Sequence, residues 1–189
     1  MNHKIVIVGV GGQGTLLASK ILGQLAVSEN LAVKVSEVHG MAQRGGSVIT
    51  HVIFGSEVYA PLVSEGEADF LLAFESLEAA RALPFLSKDG TIIVSTQRIL
   101  PMPVITGAEK YPADPLGGIR ERVSACEIPA DKLAEEAGSI KAVNVVLLGA
   151  MAKRLPFEKD KWLSALEKCV PAKYLELNRR AFTLGYENS

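Results

Sequence analysis

Apolar residues along this chain follow two alternating periods. Lys4-Ile5-Val6-Ile7-Val8 carries a short continuous apolar run, the pattern of a strand buried on both faces. Leu16, Leu17, Ile21, Leu22 and Leu25 then recur at helical spacing and predict a helix over 16–27, ended by the polar Ser28-Glu29-Asn30. Ala32 to Val35 reads as a second short strand, and the β-branched run Val48 to Phe54 as a third. Val58 to Val63, which contains Pro61, is expected to be a short extended edge piece. Ala68 to Phe74 predicts a buried strand, Leu77 to Leu86 a helix and Gly90 to Ser95 another strand. Periodicity lapses between Gln97 and Leu116. Pro101, Pro103, Pro112 and Pro115 there predict a loop with at most one short extended piece, of the kind that forms lids or partner contacts. Beyond it come a strand over 122–127 and helices over 130–137, 141–153, 159–168 and 172–184.

The first connection is Gly9-Val10-Gly11-Gly12-Gln13-Gly14-Thr15. Gly9, Gly11 and Gly14 hold the three fingerprint positions that give a tight turn, close backbone approach to a ligand, and close helix-to-strand packing. Gly12 removes one more side chain. A bare turn before a helix leaves its first N–H groups facing outward at the positive end of the dipole, which suits a phosphate or a carboxylate. Strand, glycine turn and helix in that order, within alternating strands and helices, predict an α/β fold. The expected form is a Rossmann-like, doubly wound, mostly parallel sheet with a helical C-terminal portion. With 189 residues, 48% of them hydrophobic and no internal repeat, the chain is expected to form one domain over 1–189.

If the first two strands run parallel, the stretch from Glu37 to Gly46 emerges beside the glycine turn. Glu37, 23 positions past Gly14, stands where dinucleotide-binding domains place the acid for the ribose hydroxyls. The residues after it argue against NAD, because His39-Gly40-Met41-Ala42-Gln43-Arg44-Gly45-Gly46 is a second glycine-rich loop in place of a plain crossover helix. Arg44, between Gln43 and the Gly45-Gly46 pair, can fork onto a phosphate or carboxylate with Gln43 beside it; equally, it can anchor the loop or a partner's carboxylate. His39 is the histidine placed for acid–base work, but no carboxylate at triad spacing accompanies it. The candidate ligand- or partner-facing residues are therefore Gly9, Gly11, Gly12, Gln13, Gly14, His39, Gln43, Arg44, Gly45 and Gly46, with no catalytic residue assigned. Asn144 and Asn178 interrupt apolar helical runs and are expected to fix a neighbouring loop or helix end.

Charge and cysteine content narrow the chemistry. A formal charge of −1, with acids and bases interspersed, lacks the basic stripe of a nucleic-acid binder or of an electrostatic membrane anchor. The apolar run Val145 to Ala152 is far too short to span a bilayer, and Met1-Asn2-His3-Lys4 leads straight into a strand, so a cytoplasmic location is expected. Two distant cysteines, Cys126 and Cys169, cannot build an iron–sulfur cluster or a closed zinc site unaided. A mean hydropathy of +0.23 predicts an exposed apolar surface for a partner.

The turn Gly9 to Gly14, the loop Gly40-Met41-Ala42-Gln43-Arg44-Gly45-Gly46-Ser47-Val48, and the later Asn144, Gly149 and Asn178-Arg179-Arg180-Ala181-Phe182 together resemble the beta subunits of indolepyruvate:ferredoxin oxidoreductases. More broadly they resemble the gamma domain of 2-oxoacid:ferredoxin oxidoreductases. The resemblance implies oxidative decarboxylation of an aryl 2-oxoacid with coenzyme A as co-substrate, giving an acyl-CoA, carbon dioxide and reduced ferredoxin. It also implies a large alpha subunit that carries thiamine diphosphate, magnesium and iron–sulfur clusters, with ferredoxin met through the complex. This chain would bind none of those cofactors alone and would be inactive alone. Two other readings remain open at this point: a stand-alone nucleotide-binding module for NAD or FMN, or a sensor of the same fold, and a structural subunit that uses the glycine turn for docking.

Overall fold

The computed structural model describes residues 2–40 and 45–189. Six strands form one sheet in the order β2-β3-β1-β4-β5-β6, with β1 His3–Val10, β2 Ala32–His39, β3 Ser47–Gly55, β4 Ala68–Ala73, β5 Leu86–Ser95 and β6 Ala125–Ile128. β1, β4, β5 and β6 pair in parallel, whereas β3 runs antiparallel to both β1 and β2. This corrects the simple βαβ expectation. β2 does run parallel to β1 in direction, but a hairpin partner, β3, lies between them. Glu37 to His39, expected in the loop, extend β2 by pairing with Thr50, Ile49 and Val48.

Both faces of the sheet are covered, unequally. Ile5 and Ile7 of β1, with Phe54, Leu72, Phe74 and Ile93, face a thick helical layer: α1 Thr15–Ser28, α5 Ala130–Ala137, α6 Val143–Ala152, α7 Lys159–Cys169 and α8 Leu175–Glu187. Val6 and Val8, pointing the other way as strand alternation requires, meet Ala79 and Ala82 of α2 Ser76–Ala82 together with Leu116 and Ile119. Every residue of α6 is buried, so the apolar run from Val145 is a core helix. It lies against α8 at backbone distance. A Cβ on Gly149 would strike the Phe182 carbonyl, and one on Gly185 the Val146 carbonyl. Among the described residues no helix is long and apolar enough to cross a membrane.

Two irregular segments depart from expectation. Val58 to Val63 joins no strand; Pro61 cannot donate to a ladder, and the Val63 N–H goes instead to Nδ1 of buried His51. The stretch from Gln97 to Leu116 contains no extended piece but one short helix, α3 Met102–Ile105, and a second, α4 Gly117–Arg120, follows it. Pro103 stands in the first turn of α3, where its missing N–H costs nothing, so the prolines that argued for a loop are compatible with a helix start.

Candidate functional site

The C-terminal ends of β1, β4 and β5 bring three connections together around the first glycine turn, and the glycines there do different jobs. Gly9 makes room: a Cβ on it would lie 2.9 Å from Oε1 of Gln13 and 3.0 Å from Cβ of Phe74. In that space Gln13 folds back over the turn. Its Oε1 accepts the Val10 N–H at 2.7 Å, and its Nε2 donates to the Phe74 carbonyl at 3.0 Å and to Oε1 of Gln97 at 3.1 Å. Gln13, expected to face a ligand or partner, knits three strand ends together and also lines the cavity on the Gln97 side.

Gly14 makes room on the other side. It has φ +86°, and a Cβ on it would lie 2.5 Å from Nδ2 of Asn144, the buried amide that donates to the Gly14 carbonyl at 3.2 Å. Asn144 does fix a neighbouring loop, and Asn178 fixes a helix start by donating to the Tyr174 carbonyl. Gly11 is used in a third way: its N–H goes to the Gly46 carbonyl at 2.8 Å, and its carbonyl accepts from Gly45 N–H at 3.4 Å. The two glycine-rich loops therefore touch through their backbones. Gln43 and Arg44 lie outside the described residues.

Gly12 alone in the turn combines a positive φ, +103°, with open space on all sides of a would-be Cβ. It forms the rim between two cavities. One, of about 390 Å³, runs from Gly12 past Thr15 and Leu16 to Glu37, His39 and Val48. The other, of about 350 Å³, runs from Gly12 past Gln97 and Ile99 to Ile140, Lys141 and Val143. No side chain caps α1, and among the described residues the N–H groups of Gly12, Thr15 and Leu16 have no acceptor. Such N–H groups at a helix start favour an anion. His39 lines the first cavity, with Nδ1 3.1 Å from the Gly40 carbonyl, while Oε2 of Glu37 accepts the Thr50 hydroxyl at 3.2 Å. The ribose-type acid is thus engaged within its own sheet. Lys141 is the cationic side chain of the second cavity.

Two large apolar side chains lining these cavities, Leu16 and Ile140, are open to solvent. Leu16 is 64% exposed and Ile140 44%, while Leu100, Met102 and Ile105, on the segment that leaves β5, are exposed as well. Among the described residues no three His, Cys, Asp or Glu side chains gather as metal ligands.

This chain resembles known proteins along nearly all of its length. Residues 4–188 match the family model for pyruvate ferredoxin/flavodoxin oxidoreductase. The chain belongs to that family. The indolepyruvate oxidoreductase subunit IorB of Thermococcus kodakarensis is 42% identical over 97% of this chain and 94% of its own, and that of Methanothermobacter thermautotrophicus 39% over 98% and 97%. The crystal structure of the keto/oxoacid ferredoxin oxidoreductase gamma subunit from Geobacter sulfurreducens superposes with a TM-score of 0.75 at 25% identity, covering 98% of this chain and 97% of its own. In this member of the oxidoreductase family, the residues lining the two cavities include the glycine turn and His39, which the sequence singles out, and Gln97, Ile99 and Lys141, which it does not. Gln97 follows β5 directly. The rule that ligands gather at the C-terminal ends of parallel strands would have pointed to it.

Proposed function

We propose that this chain is the small subunit of a heteromeric oxidoreductase that oxidatively decarboxylates aryl 2-oxoacids such as indolepyruvate, with coenzyme A, to acyl-CoA, carbon dioxide and reduced ferredoxin. The observation that carries the reading is 42% identity to an indolepyruvate oxidoreductase subunit over 97% of the chain. The site fits a supporting role. It offers backbone N–H groups, amides and Lys141, which bind and orient an anion, and among the described residues no base is paired with a nucleophile. The anion is a phosphate of coenzyme A or the carboxylate of the 2-oxoacid. Gly12 provides close backbone approach, Lys141 the charge, and Arg44 with Gln43 a fork from the second loop.

Thiamine diphosphate, magnesium and iron–sulfur clusters belong, in this reading, to the large subunit. The donors present here do not fit a cluster, since Cys126 and Cys169 are the only cysteines of the chain. In this reading the complex is cytoplasmic. Exposed Leu16 and Ile140 beside the turn favour a second contribution: the same edge docks the large subunit. Family membership and full-length similarity to oxidoreductase subunits disfavour a stand-alone nucleotide or sensor module. The test is turnover of indolepyruvate by the chain alone and after reconstitution with its large subunit. Activity only in the reconstituted complex supports the proposal; full turnover by the isolated chain, or tight NAD(H) or FMN binding without a partner, overturns it.

A further inference from the structure

Glu75 is a buried carboxylate, 1% exposed, that the binding role described above does not use. It follows β4 and begins α2. Oε2 accepts the N–H groups of Leu77 and Glu78 at 2.7 and 2.9 Å, which caps the helix. Oε1 looks the other way. It accepts the Ile99 N–H at 3.1 Å and the Tyr111 hydroxyl at 2.5 Å. Among the described residues no cation pairs with Glu75, so these four hydrogen bonds hold the buried charge.

Ile99 is, with Gln97, part of the wall of the cavity between Gly12 and Lys141. Its neighbour Gln97 is fixed from the same place, because the Gln97 carbonyl accepts both the N–H and the hydroxyl of Ser76, at 3.1 Å each. Burial and the carboxylate raise the Tyr111 phenol above its ordinary pKa, so the hydroxyl stays a donor throughout the neutral range. Arg98 lies over the Tyr111 ring, 5.9 Å from its centroid. One oxygen of Glu75 thus serves the fold and the other serves a cavity wall.

We propose that Glu75 is a positioning residue for the cavity beside Gly12: through Ile99 N–H and Tyr111 it fixes the Gln97–Ile99 wall against which the anionic group is seated. The role rests on the binding function proposed above. Glu75→Gln separates the two oxygens chemically. An amide whose oxygen still caps Leu77 and Glu78 turns its NH2 toward the Ile99 N–H, donor against donor. Tyr111→Phe removes one donor to the same oxygen and leaves the cap intact.

The experiment uses both variants, and Gly12→Ala, in the complex reconstituted with the large subunit. Amide exchange is read at Ile99, Leu77 and Glu78, and KM and kcat for coenzyme A and indolepyruvate. Glu75→Gln and Tyr111→Phe are expected to speed exchange at Ile99 while Leu77 and Glu78 stay protected. KM for one substrate should rise roughly 2- to 12-fold, the factor for one net hydrogen bond, with kcat changed less than KM. Wild-type protection of Ile99 in both variants overturns the proposal. So does faster exchange at Ile99 with both KM values unchanged while Gly12→Ala raises one of them. If Gly12→Ala also leaves both KM values unchanged, the binding function itself fails and the positioning role falls with it, while exchange at Ile99 still reports whether the brace exists.

Discussion

Gly12 and Gly14 differ by two positions and share a left-handed backbone, yet replacing each by alanine has unequal consequences. A side chain at positive φ costs about 1–2 kcal/mol, and the alanine's lower unfolded-state entropy returns about 0.4–1 kcal/mol. At Gly12 nothing lies within 4 Å of the new methyl, so the net loss is about 1 kcal/mol. At Gly14 the methyl falls 2.5 Å from Nδ2 of Asn144 and evicts a buried amide from its hydrogen bond, which adds about 1–3 kcal/mol. For a chain of this length each kcal/mol corresponds to about 2–4 °C in Tm. Gly12→Ala should therefore lower Tm by about 2–4 °C, and Gly14→Ala by about 4–16 °C. The assay is thermal unfolding of the subunit followed by far-UV circular dichroism, with Asn144→Ala and the double variant closing a cycle. A favourable coupling of at least about 1 kcal/mol is expected between Gly14→Ala and Asn144→Ala, because removing the amide relieves the clash. Equal losses for the two glycines, or additive effects in the cycle, would refute it.

Gly149→Ala should abolish soluble expression, since its methyl meets the α8 backbone rather than a movable side chain; soluble yield and circular dichroism decide it. Burial lowers the pKa of His51 below its ordinary 6.5, so as pH falls through that value the unfolded chain binds a proton before the folded one does. Stability should be full above pH 6.5 and decline below it until the folded pKa is passed. His51→Gln should remove the part of that slope that His3, shifted in the same direction, leaves behind, as read by urea unfolding. Arg44→Ala in the size-purified complex should lower kcat/KM roughly 10- to 150-fold, from a lost charge-assisted bond of about 1.5–3 kcal/mol. Arg44→Lys should recover part of it, and unchanged kcat/KM would leave Arg44 a structural role. The chain purified alone should carry no stoichiometric iron and no visible absorbance; a brown protein would contradict that.

Much of the architecture is legible in the sequence because burial imposes period. The apolar run Ile5 to Val8 and the helical stripe from Leu16 to Leu25 name their elements directly, although Leu16 itself faces solvent. Strand direction is another matter, since a period of two reads the same both ways, and nothing in Val48 to Phe54 announces that β3 is antiparallel. Orientation was hidden in the site for a similar reason. A glutamine in a glycine turn can face out or fold inward, and the choice at Gln13 is settled by the missing Cβ of Gly9 four residues earlier. Glu75 escaped notice because glutamate is an unusual helix cap, and because Phe70 to Phe74 before it reads only as a buried strand.

The antiparallel β3 has a consequence for how such a site diverges. A crossover helix binds a loop's length to the packing of a whole layer, so altering one disturbs the other. Here the connection from β2 to β3 closes a hairpin whose arms are held by eight residue pairs between β2 and β3, with eight more between β3 and β1. Residues added there leave both registers untouched, and each doubling of its length costs only about 0.6 kcal/mol of closure entropy. The length of that connection can therefore change on a scaffold that need not change at all.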